Sequence, residues 1–271
     1  RMQLVPIGID PVEGAAQLVE RPRLSAPALD AHKYKRGLAA IIGGAMPGAA
    51  RLAAESAMRG GAGYVKLLAA NAVSGNPGLV VDGGKLEDAL TDKRIDAVLV
   101  GPGLGRDASA GQRLDQALGA AKPKVLDADA LVLMKPAMLP EDLPVLATPH
   151  DGELETLCRN FSVIAEGRRD RAKGLAATSG MVVLAKGPDS VIAAPDGRLA
   201  LAPPAPSWLS VAGSGDVLAG IAVSRMATGA DPFTAACEAV WLHGEAARRC
   251  GPAFTALELA EAASVALLRC L

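Results

Sequence analysis

SVAGSGDVLAGIAVSRMATG, residues 210 to 229, places two glycines and an acid close together and then runs into an apolar helical pattern. Gly213, Ser214, Gly215 and Asp216 stand at the mouth of that helix. Glycine lets the backbone turn sharply, so several N–H groups can point at one anion. The start of the following helix adds partial positive charge on the same side. Asp216 is the odd member, because a carboxylate there repels a bound phosphate at rest. A plainer reading stands beside the anion cradle: Ser or Asp is simply the N-cap of an ordinary helix.

Upstream of this turn, short apolar runs alternate with helical patterns. Strands are expected at residues 38–42, 64–68, 79–81, 97–100, 124–126, 145–147 and 182–185, and helices near 49–59, 86–89, 108–121, 152–159 and 166–177. Apolar runs without alternation suit strands covered on both faces. Their order predicts an α/β fold with a doubly wound, mostly parallel central sheet flanked by helices. The pattern then changes. SVIAAPDGRLALA (190 to 202) reads as a hairpin turning at Pro195-Asp196-Gly197. Three helices close the chain, the second capped by Asp231 with Pro232 at its first position, the third opened by the capping box Thr255-x-x-Glu258.

Composition removes several classes of function. Twenty-eight basic and 29 acidic residues leave a net charge of −1, and aromatics are 3% of the chain, so neither a basic stripe nor a base-stacking platform is available for nucleic acid. The four cysteines, Cys158, Cys237, Cys250 and Cys270, have no metal-site spacing and read as small buried apolar residues of a reducing compartment. The first thirty residues lack a basic start followed by an apolar core, and the apolar run 38–54 is broken by Gly43, Gly44, Pro47 and Gly48. A cytoplasmic protein with no membrane partner is expected.

In open α/β sheets ligands bind beyond the carboxyl ends of the strands, and four of these ends carry unusual residues. VLVGPGLGRD (98–107) ends in Gly101, Gly103 and Gly105; KVLDADAL (124–131) in Asp127 and Asp129; LATPHDGEL (146–154) in Thr148, His150 and Glu153; VLAKGPDS (183–190) in Lys186 and Gly187. Turns favour such residues anyway, and Asp127 and Asp129 are equally readable as turn caps. Together with the glycine-rich helix start, the four ends describe a crevice suited to a phosphorylated ligand with a divalent cation. His32 and His243 have less to recommend them; His243 lies mid-helix and reads as structural.

GPGLG (101–105), TPHDGE (148–153), AKGPDS (185–190) and AGSGDVLAG (212–220), by their order and spacing together, resemble the NAD(P)H-hydrate dehydratases, which have a ribokinase-like fold. HKYKRG (32–37), the segment 43–65 and AVWLHGEAARRCG (239–251) agree, so the resemblance covers residues 30 to 271. It implies removal of water from hydrated NADH or NADPH at the expense of ADP or ATP with Mg2+. In that reaction the ring hydroxyl is phosphorylated and phosphate then leaves. Asp216 is implied as the base that accepts the hydroxyl proton, and the N–H groups of Gly213, Ser214 and Gly215 as the hole that stabilises the transferred phosphoryl group. By the same resemblance Lys186, Gly187, Pro188, Asp189, Ser190 and Gly215 bind the nucleotide, while Ala49, Gly103, His150 and Asp216 contact the hydrated dinucleotide. Glu153 would reach the metal through water. Val211 and Asp151 depart from the usual residues of the family.

Two further expectations concern organisation. Residues 31–271 form the dehydratase domain, and residues 1–30 are either an arm or the remnant of a preceding epimerase domain of the kind found in fused repair enzymes. The apolar positions Leu257, Leu259, Ala260, Ala263, Leu267 and Leu268, with Leu4, Val5, Ile7 and Ile9 near the start, predict self-association, and the resemblance implies a homotetramer. Two other readings stand beside it: a true kinase of the ribokinase-like group, which keeps the same glycine loop and would return a phosphorylated product, and an idle nucleotide-binding or scaffolding module, which would need a lost base or a lost glycine loop although Asp216, Gly213 and Gly215 are all present.

Overall fold

The computed structural model describes residues 15–70, 75–139 and 143–271. Leu4, Val5, Ile7 and Ile9 lie outside them. Among the described residues the strands are β1 (Gln17–Leu18), β2 (Leu38–Ile42), β3 (Tyr64–Leu68), β4 (Val80–Asp82), β5 (Ala97–Val100), β6 (Lys124–Leu126), β7 (Val145–Ala147), β8 (Val182–Ala185), β9 (Val191–Ala193) and β10 (Leu199–Leu201). The helices are α1 (Pro47–Arg59), α2 (Leu86–Leu90), α3 (Ala108–Gly119), α4 (Asp129–Leu133), α5 (Asp151–Asn160), α6 (Gly167–Ser179), α7 (Ser214–Ala227), α8 (Pro232–Cys250) and α9 (Ala256–Leu268).

The ten strands form one sheet in the order β1-β10-β9-β8-β7-β6-β5-β2-β3-β4. All neighbours run parallel except β9, which is antiparallel to both β8 and β10. The loop between Ala185 and Val191 reverses the chain into β9, and the hairpin expected at 190–202 turns it back into β10, with Gly197 at φ 93° in its turn. The chain winds from β2 out to β4, returns to place β5 on the other side of β2, and continues through β8. The β2–β5 junction is therefore the topological switch point, where the loops leaving the two strands diverge and leave a crevice.

Side-chain alternation along each strand divides the interior in two. Ala39, Ile41, Ala97, Leu99, Val125 and Leu146 face a layer built with α1, α7, α8 and α9. Leu38, Ala40, Ile42, Val98, Val100, Leu126 and Val145 face the layer of α2 to α6. A run such as LAAII can be apolar throughout because both of its faces are covered.

Some boundaries differ from the sequence expectation. α1 begins at Pro47, two residues early, because proline suits the first turn of a helix; β4 starts one residue later than the apolar run suggested. β1 was not expected: its two residues pair in parallel with β10, Val19 is buried, and Leu24 N donates to Cys270 O at 2.8 Å. The caps of α8 and α9 are as read, Asp231 accepting from Phe233 N and Thr255 exchanging bonds with Glu258. In α9, Leu259, Ala260 and Ala263 are buried in the core and Leu267 packs at its edge, so only part of the expected stripe, Leu257 and Leu268, remains exposed, joined there by Val265. The cysteines are all free; Cys158 and Cys270 are buried, whereas Cys237 and Cys250 are only partly so.

Candidate active site

Strand ends bring the charged groups together. β8 delivers Lys186, whose backbone N–H donates to Pro149 O at 2.7 Å, tying the loop after β8 to the loop after β7. Lys186 Nζ lies 2.6 Å from Asp127 Oδ1, at the end of β6, and 4.0 Å from Glu153 Oε2, in α5. Thr148 Oγ1 donates to the same Asp127 oxygen at 2.8 Å. Burial works against the charge of Lys186, but Asp127, Glu153 and Asp216 outweigh it and hold its pKa above the ordinary lysine value. The ammonium also lies over the glycine turn: a Cβ at Gly215 would stand 3.4 Å from Nζ. A cation is thus fixed beside the backbone N–H groups at the start of α7, which is what an incoming phosphate requires.

The turn itself depends on Gly213. This residue caps α7 at φ 88°, in the left-handed region, and a Cβ there would meet Leu52 Cδ2 at 2.6 Å and Ala256 Cβ at 3.0 Å. Gly215 has no such backbone constraint. Ser214 is gripped from behind by His243 in α8: Nε2 lies 3.0 Å from Ser214 O and 3.2 Å from its Oγ. Burial pushes the His243 pKa down to about 4, so the imidazole is neutral and its Nε2–H donates to the carbonyl. His243 therefore braces the cradle as well as filling the core.

Asp216, in the first turn of α7, is half-buried. Burial raises its pKa to about 6, Asp127 and Asp129 push the same way, and Lys186 opposes them. Its Oδ2 lies 3.8 Å from the Cβ position at Gly213, the position that faces Leu52 of α1. A carboxylate poised near neutrality between a phosphate cradle and a second wall is equipped to take a proton.

That second wall is the seam between the loops leaving β2 and β5. Met46 N donates to Gly103 O at 2.9 Å, and a Cβ at Gly103, where φ is 63°, would lie 2.2 Å from Met46 O and 3.1 Å from Ala49 Cβ. Ala49 and Gly103, named together from the sequence, are thus neighbours at the switch point. Asp129 tethers this wall, accepting from Gly105 N at 3.0 Å and Arg106 Nε at 2.8 Å. Ala128, between the two aspartates, has φ 48° and ψ −122°, a strained conformation for a residue with a side chain. It separates the partners of Asp127 from those of Asp129.

A cavity of about 500 Å³ accounts for most of the nucleotide set: Lys186, Gly187, Pro188, Ser190 and Gly215 line it, with Ser214 of the anion hole, His150 and His243. Asp189 is not in its lining; its carboxylate pairs with Arg168 Nη1 at 2.5 Å. Arg168 also bonds both oxygens of Asp151 at 2.8 Å, bracing the 187–190 loop against α5. His150 caps α5, its Nδ1 accepting from Gly152 N (3.0 Å) and Glu153 N (3.2 Å). The Glu153 carboxylate accepts from His150 N at 2.8 Å in return. Because Glu153 is already partnered, it suits an outer, water-mediated contact with a cation. Among the described residues no group of three His, Cys, Asp or Glu side chains could hold a metal by itself. The site fits a cation carried on nucleotide phosphates.

Sequence reasoning missed Arg113, a lone arginine in α3, and Arg168, one of three arginines at the start of α6 that nothing in the sequence sets apart from Arg169 and Arg171. It also gave His32 and Asp82 no role; Asp82 lies 3.9 Å from Lys66 Nζ and caps Gly84 N.

Comparison with known proteins shows the family. Residues 39–267 match the family model described as NAD(P)H-hydrate dehydratase. The chain is 38% identical over 249 residues to the bifunctional NAD(P)H-hydrate repair enzyme Nnr of Salinibacter ruber, covering 82% of this chain and 45% of that protein. It therefore spans about half the length of that relative. With the ADP-dependent (S)-NAD(P)H-hydrate dehydratase of Bacillus subtilis it shares 35% identity over 243 residues, 84% of this chain and 87% of that one. The crystal structure of the Bacillus subtilis ADP/ATP-dependent NAD(P)H-hydrate dehydratase co-crystallised with ATP/Mg2+ superposes with a TM-score of 0.81, at 29% identity, over 94% of this chain and 99% of that one.

Proposed function

Because the chain belongs to the NAD(P)H-hydrate dehydratase family, we propose that it restores NADH and NADPH from their (6S)-hydrates, using ADP or ATP. The observation that carries this reading is the convergence of Asp216, Lys186 and the Gly213–Gly215 turn beside the 500 Å³ cavity that Lys186, Ser214 and Gly215 line. The nucleotide lies in that cavity along Lys186 to Ser190, with its terminal phosphate at the N–H groups of Ser214 and Gly215. The hydrated ring lies on the other side of Asp216, against Ala49 and Gly103, while His150, which lines the nucleotide cavity, reaches the dinucleotide from that cavity.

Asp216 takes the proton of the ring hydroxyl as that oxygen attacks the terminal phosphorus. The bond to the leaving nucleotide breaks, giving AMP from ADP or ADP from ATP. The Gly213–Gly215 N–H groups and Lys186 stabilise the charge on the phosphoryl group in flight. Phosphate then departs from the ring carbon with the bonding electrons, a proton leaves the adjacent carbon, and the ring double bond returns. Phosphorylation is needed because hydroxide leaves badly and phosphate leaves well. Mg2+, bound to the nucleotide phosphates and reached by Glu153 through water, would supply the remaining charge neutralisation.

The test is the product balance from hydrated NADH and ADP. Equal amounts of NADH, free phosphate and AMP support the reading. A stable phosphorylated organic product without free phosphate would make the protein a simple kinase instead.

The same reading extends to assembly and location. Exposed Leu257, Val265 and Leu268 on α9 support a homotetramer. No helix among the described residues is long and apolar enough to cross a membrane, in keeping with work on soluble dinucleotides in the cytoplasm.

A further inference from the structure

A second cavity, of about 380 Å³, opens at the carboxyl ends of β2 and β3, beside the seam that holds Ala49 and Gly103. Its walls include Gly43, Ala45, Ala69, Leu104, Asp107 and Arg113. Arg113, in α3, is the basic group among its described lining residues. Its guanidinium is fixed by two strand-end carbonyls: Nε donates to Gly43 O and Nη2 to Leu68 O, each at 2.9 Å. Among the described residues Nη1 makes no hydrogen bond and no carboxylate comes within ion-pair distance of Arg113. Asp107 shares the cavity wall, but its carboxylate is engaged as the cap of α3, accepting from Ala110 N at 2.8 Å. Burial lowers the Arg113 pKa, with no acid to hold it up. A partly desolvated cation without a counter-ion is costly, and an anion entering the cavity would offset that cost through a charge-assisted bond.

We propose that this cavity receives a phosphate of the dinucleotide substrate, with Arg113 as its anchor. The proposal rests on the dehydratase reading and extends it. Pro47 belongs to the cavity wall and Ala49 follows one residue beyond Gly48 in the first turn of α1, so a dinucleotide whose ring lies at Ala49 and Gly103 can lay its phosphates here. Two sources supply the same chemistry: the pyrophosphate, common to both hydrates, and the 2′-phosphate, carried by the NADPH form alone.

Steady-state kinetics on hydrated NADH and hydrated NADPH, at saturating ADP, distinguish them. Arg113→Gln is expected to raise the KM of the dinucleotide about 10- to 100-fold while calorimetry finds ADP affinity unchanged. An equal rise for both hydrates assigns the pyrophosphate; a rise confined to hydrated NADPH assigns the 2′-phosphate. An unchanged KM for both in folded protein overturns the proposal. Ser109→Asp is the companion variant, because it places an acid in the cavity wall without disturbing the two carbonyl tethers. It too should raise the KM, and an unchanged KM there overturns the proposal even if Arg113→Gln does not fold. Wild-type protein inactive on both hydrates would instead sink the dehydratase reading itself, and the anchor with it.

Discussion

At Asp216, burial and the neighbouring carboxylates Asp127 and Asp129 oppose ionisation, and Lys186 favours it. The folded pKa of about 6 lies above the ordinary value of 3.8. Between those two pH values the unfolded chain has released this proton and the folded protein has kept it. Asp216 therefore subtracts stability as pH rises from about 4 to about 6, and the deficit stays constant above that. Asp216→Asn, neutral throughout, escapes it. The variant is expected to be more stable than the parent by about 1–2 kcal/mol at pH 8, allowing for partial solvent exposure, and no more stable at pH 4. Thermal melts at the two pH values measure this, and identical melting at pH 8 would contradict the assigned environment. Residues of this kind are legible in sequence because turn chemistry is local: Gly213 and Asp216 declare a glycine-rich helix start by themselves. Ala128 shows the limit, since nothing about an alanine announces a positive φ imposed by its neighbours. Arg113 and Arg168 were equally hidden, because their partners lie far along the chain.

At the scale of elements, α7 reaches the site by packing closely on α1. Gly220 makes this possible: a Cβ there would lie 2.0 Å from Ser56 Oγ and 2.1 Å from Ala53 O. Lower in the same contact Ser224, fully buried, accepts from Ala62 N at 2.9 Å. Gly220→Ala gains helix propensity but must push α7 away from a backbone oxygen, so a net loss of about 1–3 kcal/mol is expected. The lost stability would appear as a lowered melting temperature, accompanied by weaker ADP binding because the cradle sits on α7. A variant as stable as the parent would show that the two helices are not locked together here. The strands and most helices could be read from apolar runs and caps, since both are short-range signals. The role of Gly220 could not, because helix approach depends on residues some 160 positions away. β1 was missed for a related reason: two residues carry no periodicity, and their partner β10 is remote in sequence.

Across the whole molecule, the sheet order accounts for where the site lies. Strands on the two sides of the β2–β5 junction carry their loops apart, and the predicted residues follow β2, β5, β7 and β8, with Gly213, Ser214, Gly215 and Asp216 at the start of α7. Both faces of this sheet are covered by helices, yet α9 still exposes Leu257, Val265 and Leu268. Apolar surface of that kind is commonly covered by a second copy in a closed, symmetric assembly. Light scattering at micromolar concentration should give the mass of four chains. The mass of one chain, constant across a dilution series, would refute the assembly.

The central claim, that Asp216 is the base of a nucleotide-dependent dehydration, is tested most directly by the pH dependence of hydrated-NADH turnover with ADP, measured for the parent protein and Asp216→Asn side by side. In the parent, kcat/KM should rise with pH through a single ionisation near pH 6, since the base acts only when deprotonated. In the variant, turnover should fall about 10²- to 10⁴-fold and the ionisation should vanish, with ADP affinity unchanged. Parent-like turnover in Asp216→Asn, with the same pH profile, would contradict the account.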